Sequence, residues 1–281
     1  SKLDRPDIII LSSMSIFPLP AVLFLRRFYN TKFIFEVRDL WPLTPIYMKK
    51  ISKWNPMILF ISFMEKIGYK MADKIITTLA DSELYINNII GQTKKVKLIS
   101  NGVPNSLIHS KEFILEKKSN FNKLIITYGG SFGLANALEP LISFLEDQKE
   151  LSNKIQFNFI GAGYLKEEYE LRLSFQDNVF FFKKMDRWSF FNELIKSDLA
   201  FISWMDLPEL YQYGVSAQKY YDYMAAGIPI ISAQNGINDP VKISGCGIIV
   251  KNESEEIKKG IYRFLSMSKS EREKMGEKGR E

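Results

Sequence analysis

The sequence holds only one cysteine and one histidine among its 281 residues. A single cysteine, Cys246, excludes an internal disulfide framework and is typical of a protein in a reducing compartment. His109 lies in a polar stretch, so a Ser-His-Asp or Cys-His catalytic site has little support. There is also no Cys/His cluster suited to zinc and no Asp-x-Asp pair typical of a metal–diphosphate site. These absences predict a reaction without a bound metal ion.

Long hydrophobic runs are absent as well. No apolar run reaches the ~18–20 residues that a membrane-spanning helix needs. The nearest are Ile16–Leu25, which ends at two arginines, and Pro56–Met64, which ends at Glu65. The first residues lack the ordered charged and apolar regions of a signal peptide. The sequence therefore predicts a cytoplasmic protein.

Hydrophobic residues make up 46% of the chain and charged residues 25%, as in a folded globular protein. The charge is uneven: the first 112 residues contain 16 Lys/Arg and 9 Asp/Glu, and the remainder contains 22 and 23. A basic first part indicates an anionic partner, for which nucleic acid, an anionic membrane surface and a phosphorylated substrate all qualify. A general surface bias that favours solubility is an equal alternative.

Strands and helices alternate in the first part of the chain, which predicts βαβ units and a parallel sheet. Four strands are too few for a complete doubly wound domain, and the pattern begins in its middle. The sequence therefore predicts that an N-terminal portion is missing. The four predicted strands are Asp7–Ser12, Lys32–Val37, Lys74–Thr78 and Val96–Ser100.

The same alternation restarts after a polar stretch, Ser106–Asn122, which reads as a linker. Two α/β domains are therefore expected, residues 1–115 and residues 116–281, with a cleft between them. The strands predicted in the second are Leu124–Tyr128, Ile155–Ile160, Val179–Phe182, Leu199–Ser203, Ile228–Ser232 and Ile248–Val250.

A glycine-rich loop, Gly129–Gly133, follows the first strand of the second domain and precedes a helix predicted from about Ala135. Ligands bind at the carboxyl ends of parallel strands, and the amides and dipole of a following helix favour anions. The loop therefore indicates a phosphate site. Its GGSFG spacing matches neither the dinucleotide pattern nor a P-loop, and a simple tight turn is an equal alternative.

A second candidate lies on a helix predicted over about Ala217–Ala226, with Ser216 as its N-cap. Lys219 and Asp222 are three residues apart and share one face. A cation in the first turn and a carboxylate one turn later can hold a pyrophosphate and a ribose diol. From spacing alone, an ordinary solvated Lys/Asp pair is the more common arrangement.

A third candidate is a charged cluster, Glu36, Arg38 and Asp39, at the end of a buried strand. Charges beside a tryptophan at such an edge cost free energy unless they are paired or functional. The cluster therefore favours a functional role at the ligand-binding end of the first sheet.

Six segments, in order and over nearly the whole chain, resemble the family 4 glycosyltransferases (glycosyl transferases group 1). These are retaining enzymes with the GT-B fold, in which two Rossmann-like domains face each other across a cleft. The strongest resemblance is to the branch that builds lipopolysaccharide O-antigens and capsules, and the last segment is the most specific. The segments are Glu36–Pro42, Met71–Ser82, Ile99–Val103, Tyr128–Leu138, Phe159–Gly163 and Leu210–Ile231.

The resemblance implies that the second domain binds a nucleotide-sugar donor. The glycine loop would approach the diphosphate, Lys219 would neutralise it with help from amides at a helix N-terminus, and Asp222 would bind the ribose hydroxyls. The segment after the predicted strand Val179–Phe182 would lie near the base of the nucleotide. The loop residues are Gly129, Gly130, Ser131 and Gly133, the amides are those of Gly214, Val215 and Ser216, and the base-side residues are Met185 and Arg187.

The sequence departs from the family pattern in several places. Gly214 stands where the first acid of the E-x7-E motif is expected, and Ser131–Leu138 lacks the arginine and lysine of many relatives. Ser12–Phe17 lacks the histidine of some relatives, and the glycine-rich acceptor loop would precede this sequence. Donor binding is therefore expected to depend on Lys219 and on backbone amides.

The expected function is transfer of a hexosyl or N-acetylhexosaminyl group from a UDP- or GDP-sugar, with retention and without a metal or another cofactor. The acceptor would be a growing glycan, carried on polyprenyl pyrophosphate at the inner membrane, and not nucleic acid. Glu36, Arg38 and Asp39 would face the acceptor and, with Lys219, form the candidate catalytic set. The basic first part would allow peripheral contact with an anionic membrane.

Two alternatives stay open. A nucleotide-sugar 2-epimerase uses the same architecture, but its acid/base chemistry usually needs histidines, which are scarce here. A non-catalytic subunit that binds a sugar nucleotide is the other alternative, because Gly214 replaces an acid of the motif.

Overall fold

The computed structural model describes residues 5–12, 16–108, 123–148, 151–234 and 239–281. Contacts divide the chain into two compact units: the first holds the described residues up to Asn101 together with Leu207–Ser216, and the second holds the other described residues. Each unit contains its own parallel sheet, which confirms the predicted α/β class. The boundary predicted at residues 115 and 116 lies outside the described residues and stays a prediction.

The helices and strands alternate along the described parts of both units. In chain order the elements up to Ile108 are β1 Ile8–Ser12, α1 Leu19–Tyr29, β2 Lys32–Val37, α2 Leu43–Lys49, α3 Pro56–Met71, β3 Lys74–Thr77, α4 Ser82–Ile90, β4 Val96–Leu98 and α5 Asn105–Ile108. The elements that follow are β5 Leu124–Gly129, α6 Glu139–Asp147, β6 Ile155–Ile160, α7 Lys166–Arg172, β7 Val179–Phe182, α8 Arg187–Ile195, β8 Leu199–Ser203, α9 Pro208–Tyr211, α10 Gln218–Ala226, β9 Ile230–Ala233, α11 Pro240–Ser244, β10 Gly247–Val250, α12 Ser254–Ser266 and α13 Lys269–Glu277.

The first unit is built on a parallel sheet with the order β1-β2-β3-β4. Alternate residues of β2, including Phe33 and Phe35, are buried against α1 and α3. Helix α3 approaches β2 closely because Gly68 has no side chain: a Cβ there would lie 2.7 Å from the Phe35 ring. Asn55 caps α3 by accepting a hydrogen bond from the Met57 amide at 2.9 Å.

The second unit has a six-stranded parallel sheet with the order β10-β9-β8-β5-β6-β7. Every residue of β5 and β8 is buried, as their continuous apolar runs predict for strands covered on both faces. Phenylalanines of β6 and β7 fill the core, with the rings of Phe159 and Phe181 stacked at 4.7 Å. The direction of strand addition reverses between β5 and β8. In open α/β sheets such a reversal opens a crevice at the carboxyl ends of the strands, where ligands bind.

Two sequence predictions about helix starts are wrong. The helix predicted from Ala135 is a single 3-10 turn, Leu134–Asn136, because Ala137 has a left-handed φ of 41° that ends it; α6 then starts at Glu139. The predicted N-cap Ser216 is also wrong. Ala217 occupies that position of α10 without a side-chain cap.

Within the described ranges, no helix combines the length and the apolar character needed to cross a bilayer.

Candidate functional site

A pocket of about 750 Å³ opens in the second unit at the strand-order reversal. Its wall combines two glycine-containing loops, the segment after β7 and the start of α10, so the lining includes both backbone amides and charged side chains. Predicted donor-site residues that line it are Gly129, Gly130, Ser131, Met185, Arg187, Lys219 and Asp222. Three of the seven are charged.

The floor of the pocket is formed where two glycine loops touch. Gly161, at the end of β6, has a φ of +153°, and a Cβ there would lie 1.9 Å from the carbonyl oxygen of Gly130. Only glycine allows the two backbones to come this close. The loops are joined by hydrogen bonds from the Gly130 amide to the Ile160 carbonyl and from the Phe132 amide to the Ala162 carbonyl, each 3.0 Å long.

Some backbone amides of the two glycine loops donate no hydrogen bond within the described part of the protein. In the described part of the chain, the amides of Ser131 and Ala162 have no hydrogen-bond acceptor, and both residues line the pocket. Backbone N–H groups that line a pocket and have no acceptor in the protein can donate hydrogen bonds to an anion. Gly133, by contrast, has an ordinary extended backbone with φ of −134° and is not part of the lining.

Lys219 places its amine in the pocket without an acidic partner in the described residues. Its Nζ donates a short hydrogen bond to Oδ1 of Asn136, and it lies 4.5 Å from the centre of the Trp204 ring and 5.1 Å from that of Tyr128. Burial of the amine lowers the pKa of Lys219 to about 7. Such a lysine is poised to bind a phosphate, because an anion beside it favours the charged form.

Asn136 connects the lysine to the glycine loop. Its Nδ2 donates to the carbonyl oxygen and to Oγ of Ser131, both at 2.9 Å, while its Oδ1 accepts from Lys219. Sequence reasoning missed both Asn136 and Trp204. Asn136 lies within the family-like segment Tyr128–Leu138, which was the only signal that could have pointed to it.

Asp222 is held by two side chains in this structure. Arg187 donates to its Oδ1 at 2.7 Å and Gln218 donates to the same oxygen at 3.3 Å, and the Asp222 side chain is only 10% exposed. Both donors also contact the carbonyl oxygen of Gly102. Asp222 and Lys219 line the same pocket, and Arg187 adds a cation whose pairing with Asp222 the sequence did not indicate.

The segment after β7 contributes Lys184, Met185 and Arg187 to the pocket wall. Asp186, between them, caps α8 by accepting hydrogen bonds from the amides of Trp188 and Ser189. Hydrogen bonds from Ser189 lower the pKa of the Asp186 carboxyl. This cap fixes the start of α8 and with it the position of Arg187.

The predicted amides of Gly214, Val215 and Ser216 do not line the pocket and group with the first unit. The Gly214 amide donates to the Tyr211 carbonyl at 3.0 Å, and Ser216 accepts two hydrogen bonds from Asn101. Gly214 has a φ of +100°, and a Cβ there would lie 2.8 Å from the Ala80 nitrogen. These residues therefore stabilise the first unit in this structure.

Glu36, Arg38 and Asp39 also belong to the first unit, at the carboxyl end of β2. Arg38 and Asp39 are exposed. The protein around the Asp39 carboxyl raises its pKa by desolvation, against the opposing charge of Arg38. In the described residues, Ser12 Oγ at the end of β1 is buried without a hydrogen-bond partner. A polar edge therefore exists at the carboxyl ends of β1 and β2 in the first unit.

No group of three His, Cys, Asp or Glu side chains in the described ranges is arranged to hold a metal ion.

The pocket therefore brings a lysine, an arginine and two unpaired amides together beside the glycine loops of an α/β unit. Residues 110–281 match the protein family described as glycosyl transferases group 1. The match spans more than half of the chain, so the chain belongs to the glycosyl transferases group 1 family. Its class of activity is therefore glycosyl transfer. No curated protein matched the sequence.

Solved structures show the same fold at low sequence identity. Sucrose-phosphate synthase from Thermosynechococcus elongatus aligns with a TM-score of 0.73 and 15% identity, over 98% of this chain and 68% of that one. HepE from Anabaena, in complex with UDP-glucose, aligns with a TM-score of 0.70 and 15% identity, over 97% of this chain and 72% of that one. WaaG, a glycosyltransferase involved in lipopolysaccharide biosynthesis, aligns with a TM-score of 0.67 and 13% identity, over 99% of this chain and 80% of that one. The fold is GT-B.

Proposed function

We propose that the chain transfers a hexosyl or N-acetylhexosaminyl group from a nucleoside-diphosphate sugar to a growing cell-surface glycan, with retention of anomeric configuration and without a metal. The main support is the position of Lys219, which shares one pocket with the open amides of Ser131 and Ala162. The three groups offer one cation and two N–H donors to a diphosphate.

The rest of the pocket suits the nucleoside. Asp222 can accept hydrogen bonds from ribose hydroxyls once its contacts with Arg187 and Gln218 rearrange. Met185 and Phe190 supply apolar surface for a base at the same wall. A UDP-sugar donor is supported by the HepE complex with UDP-glucose.

The same groups explain how the leaving group is stabilised. Cleavage of the sugar–phosphate bond places negative charge on the departing diphosphate, and fixed donors aimed at that charge lower the barrier. Lys219 is held in place by Asn136 and by the faces of Trp204 and Tyr128, so little reorganisation is needed when the charge develops.

The acceptor is proposed to be a glycan on a polyprenyl-pyrophosphate carrier, reached from the cytoplasmic side of an anionic membrane. The polar edge of the first unit, with Glu36, Arg38, Asp39 and the buried Ser12 Oγ, offers donors and acceptors for sugar hydroxyls. The role that WaaG has in lipopolysaccharide biosynthesis supports a glycan acceptor.

The proposal is tested first by thermal-shift measurements against UDP-, GDP- and dTDP-sugars. A ligand that binds only the folded state raises its stability, so one base series is expected to raise Tm. Lys219→Gln keeps the side-chain volume and removes the charge. We expect it to abolish that shift and to lower the transfer rate by roughly 10²–10³-fold, by analogy with the loss of one oxyanion donor.

Lys196→Gln is the matched control, because Lys196 lies in the same unit but is exposed and pairs with Glu193. It should leave both the Tm shift and the rate unchanged. Full transfer activity in Lys219→Gln would refute the proposed donor site.

A non-catalytic subunit that binds a sugar nucleotide is the second candidate, and Gly214 is the observation that favours it. The φ of +100° and the Ala80 backbone leave no room for an acidic side chain at that position. Donor binding without turnover in any glycan acceptor mixture would support this candidate over the transferase.

A further inference from the structure

Helix α1 presents an apolar stripe to solvent. Phe24 and Phe28 are 67% and 68% exposed, and their rings stack on each other at 6.1 Å. Phe17, just before the helix, is exposed as well. Large aromatic side chains are seldom left in water in a contiguous group unless they meet a partner.

Helix α3 extends this surface. Met57, Phe60 and Phe63 are exposed on it. Helices α1 and α3 lie side by side on the sheet, because they contact each other and both pack on β2. We call the six exposed residues of α1, of α3 and of the turn before α1 the aromatic surface: Phe17, Phe24, Phe28, Met57, Phe60 and Phe63. Its inner side is already packed against the sheet, so the exposed stripes are the outer sides of the helices.

The exposed charges on these two helices are all positive. Arg27, Lys66 and Lys70 are exposed, and Arg26 pairs with Asp73 beside the end of α3. The only acid in either helix, Glu65, is 3% exposed and accepts hydrogen bonds from Tyr69 and Tyr85. Neither helix therefore offers an exposed negative group.

We infer that the aromatic surface docks the protein onto an anionic lipid bilayer. Helices with exposed aromatic side chains and a cationic rim lie in the interface between headgroups and acyl chains. Anionic lipids attract such a rim with about 1 kcal/mol per basic residue. Two copies of this chain would bring like charges together at this surface, which disfavours self-association.

This inference deepens the proposed function, since a lipid-linked acceptor lies at a membrane surface, but it rests on different residues from the donor pocket. Membrane binding and donor binding can therefore fail independently. A thermal shift with UDP-sugar reports on the pocket, and vesicle binding reports on the aromatic surface.

The test is flotation with vesicles of phosphatidylcholine alone and of phosphatidylcholine mixed with phosphatidylglycerol. We expect binding to the mixed vesicles only, and weaker binding at high salt because exposed charges are screened. The double variant Lys66→Gln with Lys70→Gln should lower the partition coefficient by roughly 10- to 30-fold. Phe60→Ser with Phe63→Ser should lower it to a similar extent or more.

Matched controls come from the second unit. Lys274→Gln with Lys278→Gln removes two exposed lysines at the same spacing, and Leu171→Ser with Ile243→Ser removes two exposed apolar side chains. Both controls should bind vesicles as the unchanged chain does. All variants should keep the circular dichroism spectrum and the donor-induced Tm shift.

Equal binding to neutral and anionic vesicles, or no loss in the lysine and phenylalanine variants, would overturn the inference. So would light scattering that shows a dimer which the phenylalanine variant converts to a monomer, because the aromatic surface would then belong to a contact between two copies.

Discussion

Lys219 stands among neutral neighbours: an amide oxygen of Asn136 and the faces of Trp204 and Tyr128. These contacts orient the amine but compensate little of its lost hydration, which is why its pKa falls to about 7. A lysine in water titrates near 10.4. The residue therefore carries a full charge only when an anion, or a lower pH, favours it.

Proton uptake on donor binding follows from this. Below pH 7 the amine is charged in the free and bound protein alike, and above it the free amine is mostly neutral. A bound diphosphate raises the pKa, so binding takes up a proton between pH 7 and the pKa of the complex. In that pH range the affinity for the nucleotide sugar should fall by up to about tenfold for each unit by which the pH rises.

Calorimetry at pH 8 in two buffers of different ionisation enthalpy measures this uptake, with a nucleotide sugar whose diphosphate does not titrate in this range. Lys196→Gln should retain the proton uptake. Affinity independent of pH in the unchanged chain would contradict the role given to Lys219.

The pair Arg187–Asp222 shows what residue spacing cannot reveal. Lys219 and Asp222 are three positions apart on α10, so their common face could be predicted. Arg187 starts a different helix, α8, and meets Asp222 only because the two helices pack together. The cation that the family pattern places after the glycine loop is missing there, and Arg187 supplies a positive charge to the same pocket.

At the scale of elements, the pocket floor depends on the contact between the loop after β5 and the loop after β6. That contact needs Gly161, where a Cβ would meet the Gly130 carbonyl oxygen at 1.9 Å, but not Gly133, where a Cβ would find its nearest neighbour, Tyr164, at 3.7 Å. Substitutions at these two glycines can therefore distinguish the effect of breaking the loop contact from the effect of merely replacing a loop glycine.

We expect Gly161→Ala to destabilise the protein by about 1–3 kcal/mol, because the added carbon forces the two backbones apart. It should also remove donor binding, since the amides of Ser131 and Ala162 would shift. Denaturant unfolding and the donor-induced Tm shift measure the two effects.

Gly133→Ala is the control and should change stability by no more than about 0.5 kcal/mol. Equal effects of the two substitutions would show that the close contact of the loops does not shape the pocket.

At the scale of the whole molecule, charge in the donor pocket comes from side chains and amides. Lys219 and Arg187 lie in the pocket wall, where their positive charges can neutralise a diphosphate. We therefore expect transfer activity to be the same with EDTA and with added Mg²⁺, measured as release of the nucleoside diphosphate. Activity lost in EDTA and restored by Mg²⁺ would contradict a metal-independent reaction.

Much of the fold was predictable from the sequence. Buried parallel strands are continuous apolar runs, so β5, β6 and β8 could be placed within a residue or two. Helix ends were less certain, because they depend on single dihedral angles. The left-handed conformation of Ala137 ends the chain's helical path after one 3-10 turn, where a helix was predicted. Ala217, and not Ser216, is the N-cap residue of α10.

The sequence by itself determined the elements, the glycine loop and the shared face of Lys219 and Asp222, because these follow from local periodicity and spacing. Only the tertiary structure decided which groups surround them. Asn136 reaches Lys219 across 83 positions, and Leu207–Ser216 packs with residues far earlier in the chain. Such neighbours are set by strand order and helix packing, which bring distant segments together and leave no regular pattern along the chain.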